Sequence, residues 1–344
     1  MLIRAKAPLR LGLAGGGTDV SPYCDMYGGA ILNATVNLYA YSTIEPRTDG
    51  KIVLESVDQK QCLEYDSLPS LPIDGTLDLL KGSYNRIVAE FNDSRPLAFK
   101  LSTFVDAPPG SGLGSSSTLV VTIVGAFAEW LRLPLGEYDI ASLAYQIERK
   151  DLAISGGKQD QYAATFGGFN YMEFYDKDKV VVNPLRIKKD IINELEMNLL
   201  LYYTGVSRYS SAIIEDQIKN VEEKNTQSLD SMHSLKQQAV LMKEALLRGE
   251  LNKIGEILDF GWQNKKKMAQ SITNPLIEDI YQSAKDSGAL GGKISGAGGG
   301  GFMMLFVPNT SRYKVMDALS KFGGYFTRFQ FVESGLETWR VKYE

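Results

Sequence analysis

The segment Pro108-Pro109-Gly110-Ser111-Gly112-Leu113-Gly114-Ser115-Ser116-Ser117 sets three alternate glycines against three consecutive serines. Glycine lets a backbone bend tightly and approach a ligand closely. The serines open a helix-like run, where the first backbone N–H groups lack intrahelical partners and carry partial positive charge. Such a terminus cradles phosphate. The serine hydroxyls add donors, and one of them is a candidate metal ligand. No lysine follows the last glycine, so this is not a Walker loop. The competing reading is a glycine turn with a serine N-cap.

Four further segments carry chemistry. Arg10, followed by Gly12 and Gly15-Gly16-Gly17-Thr18-Asp19, offers a planar cation for a phosphoryl oxygen and acceptors for sugar hydroxyls. Glu148-Arg149-Lys150-Asp151 and Ser155-Gly156-Gly157-Lys158-Gln159-Asp160-Gln161 offer carboxylates near a glycine-bent turn. Phosphoryl transfer needs Mg²⁺ to bridge the phosphates, a cation near the transferred group and a carboxylate near the accepting hydroxyl. Mg²⁺ takes one or two protein oxygens and keeps several waters, so one carboxylate and one serine suffice. Gly296-Ala297-Gly298-Gly299-Gly300-Gly301 contains G-x-G-x-x-G, but it runs into strand-like Phe302 to Val307. A dinucleotide site needs a helix there, which argues against a nicotinamide enzyme. The loop is expected to pack against an anion, or against the serine-rich loop.

The elements that must hold these segments read as α+β. Strands are expected at Ile31 to Glu45, at Leu97 to Val105, and from Asn198 to Tyr203. Leu119 to Leu131 is apolar nearly all round and reads as a buried helix. Glu137 to Arg149 reads as a second helix, and long helices follow from Ser207 to Gln270. Asn274 and Pro275 start another. A strand at Phe302 to Val307, a helix at Tyr313 to Lys321 and a strand at Phe326 to Val332 complete the chain. Two lobes are expected, residues 1–185 and 186–344, with a site between them.

Composition excludes other classes. The 344 residues are 44% hydrophobic and 23% charged, with net charge −4, so neither nucleic acid nor an anionic membrane is an expected partner. Arg4 and Lys6 interrupt the first apolar residues, and no run approaches a membrane span. A cytoplasmic location is expected. Cys24, Cys62 and the lone His233 are too few for a disulfide framework or a zinc site. His233 falls off its helix's apolar stripe and is expected to be exposed. Lys265-Lys266-Lys267 reads as a solvated helix face.

Taken together, the three glycine motifs resemble, in type and order, those of the GHMP small-molecule kinases, over about Ala7 to Phe302. The resemblance implies a ribosomal-protein-S5 domain 2-like N-terminal lobe and a ferredoxin-like C-terminal lobe with added helices. It implies ATP and Mg²⁺. Pro109 to Ser117 (Pro109, Gly110, Ser111, Gly112, Leu113, Gly114, Ser115, Ser116, Ser117) would bind nucleotide. Ser116, with Ser115 as the alternative, and Glu148 match the metal ligands, Asp160 the catalytic aspartate, and Arg10 the basic residue beside it. Thr18, Asp19, Gly296, Ala297 and Gly298 would contact a sugar or sugar phosphate, and Arg208 at a strand-to-helix junction is a candidate phosphate contact. Lys81 and Arg86 are weaker candidates for that contact. Galactokinases carry Gly-Glu-His-Thr-Asp where this chain has Gly15-Gly16-Gly17-Thr18-Asp19. The departure points away from galactose. It resembles members that phosphorylate the anomeric hydroxyl of D-glycero-D-manno-heptose 7-phosphate, with fucokinase domains the close alternative. A non-catalytic sugar sensor on the same scaffold is the reading from another class.

Overall fold

The computed structural model describes residues 1–205 and 210–342. Its first strand, β1 (Leu2–Ala14), serves both lobes. Ile3, Ala5 and Ala7 are buried in one core, and Leu9, Leu11 and Leu13 in a second. Burial alternates over the first half of the strand and becomes continuous over the second, as when a half-wet sheet gains a cover on its other face. The change falls at a register shift between Pro8 and Leu9. Proline is tolerated there because the ladder is already interrupted.

The first lobe continues through α1 (Tyr23–Tyr27), β2 (Gly29–Pro46), β3 (Lys51–Ser56), β4 (Gln61–Asp66), α2 (Asp78–Phe91) and β5 (Phe99–Val105). Then come α3 (Ser115–Leu131), α4 (Glu137–Gln146), a π-helical turn at Ile147–Asp151, α5 (Gln159–Phe166), β6 (Phe169–Phe174) and β7 (Val180–Pro184). β2 is long enough to pair with β6 through its first part and with β5 through its second. β3 joins β5 in parallel. α3 is buried from Ser117 to Ala128 and packs on β1, β2, α4 and α5. That is the all-round burial its sequence requires.

The second lobe holds α6 (Lys189–Asn198), β8 (Leu199–Tyr203), α7 (Ser210–Glu222), α8 (Thr226–Arg248), α9 (Leu251–Lys265) and α10 (Pro275–Asp286). It ends with β9 (Gly291–Ile294), β10 (Phe302–Phe306), α11 (Arg312–Leu319), β11 (Tyr325–Thr327) and β12 (Glu337–Val341). Four strands form an antiparallel sheet in the order β11-β8-β10-β9. Asn274 caps α10, its Oδ1 accepting the Ile277 N–H at 3.0 Å. The lobes share a core in which Leu9 and Leu11 join Leu201, Met304 and Phe306.

The α+β, two-lobed architecture is the expected one, and residues 185 and 186 fall in the link between β7 and α6. Three features differ. β12 returns to the first lobe and pairs with the start of β1, so the second segment is not confined to its own lobe. The expected strand Phe326 to Val332 shortens to β11 plus an isolated bridge from Phe331 to Val36. β1, α1, α2, the β3–β4 hairpin, α5, β6, β7, α6, β9 and β12 stand where no element was expected. No helix of the described residues is long and apolar enough to cross a membrane. His233 is exposed, its Nδ1 lying 2.9 Å from the Tyr23 hydroxyl.

Candidate active site

The serine-rich loop links β5 to α3. Gly110, Gly112 and Gly114 all have positive φ, at 71°, 79° and 77°. At Gly112 this conformation coincides with a close approach: a methyl group there would overlap the Ser295 carbonyl oxygen. The loop is therefore pressed, backbone to backbone, against the connection between β9 and β10. Ser111 O accepts from Phe302 N–H at 2.9 Å, and Gly112 O accepts from Ser295 Oγ at 2.8 Å. The Gly296–Gly301 run thus connects two strands and at the same time buttresses the serine-rich loop from the other lobe.

No serine caps α3. Ser116 Oγ donates to Glu148 Oε1 at 2.9 Å and Ser117 Oγ to Glu148 Oε2 at 2.6 Å. No serine side chain is left to cap the first turn, so the plain N-cap reading fails. Glu148 is fully buried. It sits in the π-helical turn, a distortion frequent at functional sites. Gln161 Nε2 donates to it at 2.8 Å, and Arg149 Nη1 lies 3.3 Å from Oε1.

Arg10 and Asp160 meet at the mouth of the same loop. Arg10 Nε donates to Asp160 Oδ1 at 2.7 Å, and Nη1 donates to Gly112 O at 2.6 Å. Asp160 is in the first turn of α5, and a methyl group on Gly114 would lie 3.1 Å from its Cγ. Asp19 approaches from the other side, where its Oδ2 accepts the Gln159 N–H at 3.0 Å. Gly157 permits this, since any side chain there would overlap the Asp19 carboxylate. Burial pushes the Asp19 carboxyl above its usual range, against the Gln159 hydrogen bond.

A cavity of about 550 Å³ joins these groups, reaching Arg10, Asp19, Ser116, Asp160, Gly296 and Ala297. That is the size of a small-molecule site. Leu79, Val105, Ala107 and Leu119 add apolar surface to its lining. Pro109, Gly110, Gly112, Gly114 and Ser115 also line it. Other expected residues stand behind the surface. Ser111 and Leu113 are buried, Leu113 O accepting the Arg10 N–H at 3.1 Å. Gly298 faces Ile272.

Thr18 needs correction as a sugar contact. It is fully buried, its hydroxyl donates to Gly15 O and Ala30 O, and it accepts the Ala30 N–H. It fastens the first glycine loop and leaves Asp19 to face the cavity. Lys81 and Arg86 are tied to Asp74 and Asp78, and to Asp151 and Glu90. Neither lines the cavity. Arg208 lies outside the described residues. The lysine run is not a solvated face throughout: Lys265 is 3% exposed, lines the cavity and donates from Nζ to Gly16 O at 2.9 Å. Burial pushes its ammonium down to about 8, the Asp19 carboxylate opposing and the Arg10 charge adding. Arg149, Gln159 and Gln217 also line the cavity. Nothing local in the sequence marks Gln217 or Lys265, which come from separate helices.

Residues 78–168 match the model of the GHMP kinase N-terminal domain and residues 242–324 that of the GHMP kinase C-terminal domain. The chain is 52% identical over 339 residues to D-glycero-alpha-D-manno-heptose 7-phosphate kinase of Campylobacter jejuni, covering 98% of this chain and 99% of that one. A crystal structure of a D-glycero-D-manno-heptose 1-phosphate kinase from Bacteroides thetaiotaomicron superposes with TM-score 0.85 at 47% identity, covering 99% and 100% of the two chains. Lactococcus lactis galactokinase, at 19% identity and TM-score 0.76 over 98% and 95%, shares the fold. The chain belongs to the GHMP kinases. Within that class it is a sugar kinase, a phosphotransferase acting on an alcohol group.

Proposed function

We propose that this kinase transfers the γ-phosphoryl group of ATP to the anomeric hydroxyl of D-glycero-D-manno-heptose 7-phosphate. The observation that carries the reading is the Arg10–Asp160 pair, set between the phosphate loop and Asp19 in one cavity. The substrate's identity is supported by 52% identity to a heptose 7-phosphate kinase over nearly the whole of both chains.

The ATP phosphates lie along Pro109 to Ser117, at the N-terminus of α3, with the adenine toward Leu79, Val105 and Leu119. Asp160 orients the sugar hydroxyl and accepts its proton. Arg10 holds that carboxylate in place through the Nε–Oδ1 hydrogen bond and faces the charge on the transferred group. Phosphoryl transfer asks chiefly for such positioning and electrostatic stabilisation. Ser116 Oγ and Glu148 Oε1, a hydroxyl and a carboxylate 2.9 Å apart, are hard oxygen donors that fit Mg²⁺, which binds through few protein ligands. Bound there, Mg²⁺ would neutralise charge on the phosphates. Asp19, Gly296 and Ala297 hold the sugar, and Arg208 is the proposed contact for its 7-phosphate. A coupled ADP-release assay across heptose 7-phosphate, L-fucose, D-galactose and mevalonate tests the reading. Preference for L-fucose would move the assignment to a fucokinase activity.

A further inference from the structure

We infer that Lys265 and Gln217 determine acceptor specificity: with Asp19 and Gln159 they form a pocket, built from both lobes, that reads hydroxyl groups on the acceptor sugar. The inference rests on the proposed direction of the site, with acceptor near Asp19 and ATP on the serine-rich loop, and it deepens that reading.

Lys265 is the last residue of α9, and its ammonium is buried against the first glycine loop. An ammonium has three donors, and Gly16 O takes one of them at 2.9 Å. The charge of the Asp19 carboxylate acts on this ammonium. Gln217, on α7, is 2% exposed, and its Nε2 has no hydrogen-bond partner among the described residues. Both side chains end at the same place. A methyl group on Gly17 would lie 3.2 Å from Gln217 Oε1 and 3.2 Å from Lys265 Nζ. Gln159 also lines the cavity, and its Oε1 is buried without a hydrogen-bond partner among the described residues. Asp19 contributes a buried carboxylate. Buried polar groups are normally paired, and each orphan calls for an explanation.

The mixture of donors and acceptors identifies the ligand chemistry. A phosphate would need donors alone, and the Asp19 carboxylate would repel it. A sugar hydroxyl both donates and accepts, so adjacent hydroxyls can take from Lys265 and Gln217 and give to Asp19 and Gln159. Four of the site's polar groups, orphaned or half-used without substrate, are satisfied together by a polyol. The 7-phosphate end of the substrate must then lie elsewhere.

The test uses the full-length enzyme and Lys265→Met, Gln217→Leu and Gln217→Glu, with heptose 7-phosphate and ATP each varied at saturation of the other. If the parent enzyme does not turn over heptose 7-phosphate, the acceptor is the fastest of L-fucose, D-galactose and mevalonate, so failure of the substrate assignment does not affect this measurement. Loss of a charged donor to a hydroxyl is worth roughly 10- to 100-fold in affinity, and of a neutral donor roughly 3- to 10-fold. Lys265→Met should raise the acceptor KM by the larger factor, and each Gln217 variant by the smaller, with the ATP KM unmoved. Gln217→Glu keeps the side chain's size, so it reports even where the other variants fail to fold. Acceptor KM within twofold of the parent value, or an equal rise in the KM for ATP, overturns the inference.

Discussion

Arg10 Nε and Asp160 Oδ1 are 2.7 Å apart although 150 residues separate them in the chain. The arginine's second arm holds Gly112 O at 2.6 Å. One side chain thus fixes the carboxylate against the serine-rich loop. Asp160→Asn should lower kcat by ~10²–10⁴, the usual effect of losing a positioned acid–base group, with little change in the KM for ATP. Near-native turnover would remove Asp160 from the chemistry.

Arg10→Lys is a sharper test of the pair. A lysine is a point charge and cannot hold Asp160 and Gly112 with one planar fork. Loss of one charge-assisted hydrogen bond is worth roughly 1.5–3 kcal/mol, so kcat/KM should fall about 10- to 100-fold. Steady-state kinetics on both substrates check this, and an unchanged kcat/KM would show that positive charge alone suffices.

Glu148→Gln tests the proposed Mg²⁺ ligand. The carboxylate accepts from Ser116, Ser117 and Gln161, and an amide accepts less well and ligates a hard cation poorly. The Mg²⁺ concentration for half-maximal rate should rise about 10-fold or more, as a coupled assay under Mg²⁺ titration would show. An unchanged Mg²⁺ dependence would make Glu148 a purely structural anchor for the serines.

The glycine loops and the two-lobed plan were legible because their chemistry is local: three alternate glycines and a serine-opened helix fall within ten residues. Thr18 was misread for the same reason. Its motif neighbour Asp19 faces the cavity, while its own hydroxyl is used up by Gly15 and Ala30. Lys265 was unreadable, since a lysine triplet normally faces water; its burial follows from α9 packing against β1 and the first glycine loop. The helix α2 lacks a cap signal, its N-cap being Leu77 at φ 52°. β12 is a five-residue edge strand whose pairing with β1 depends on the opposite end of the chain.

Gly112→Ala should weaken the fold and the site together. Alanine at φ 79° is strained, and the added methyl meets the Ser295 carbonyl. A loss of about 1–3 kcal/mol in denaturant unfolding is expected, along with a raised KM for ATP. Full stability would mean that the two loops are not in backbone contact.

Lys293 gives a pH dependence of stability. Burial, aided by the charges of Lys265 and Arg10, pushes its ammonium down to about 7 from an ordinary 10.5. Between those values the unfolded chain binds more protons than the folded one, so this group makes the fold more stable as pH rises from about 7 toward 10.5. Lys293→Met removes the effect and also the hydrogen bond to Gly12 O. The variant's Tm minus the parent's should therefore be most favourable at pH 7 and below, and fall by pH 9.5. A difference independent of pH would show that Lys293 titrates normally.

The most direct test of the central claim is the identity of the product. The protein, ATP, Mg²⁺ and D-glycero-D-manno-heptose 7-phosphate should yield ADP and one new phosphate ester, followed by ³¹P–¹H correlation NMR. Coupling from the new phosphorus to the anomeric proton is the expected result. A phosphate on any other carbon, or ADP release without a new sugar phosphate, would contradict it.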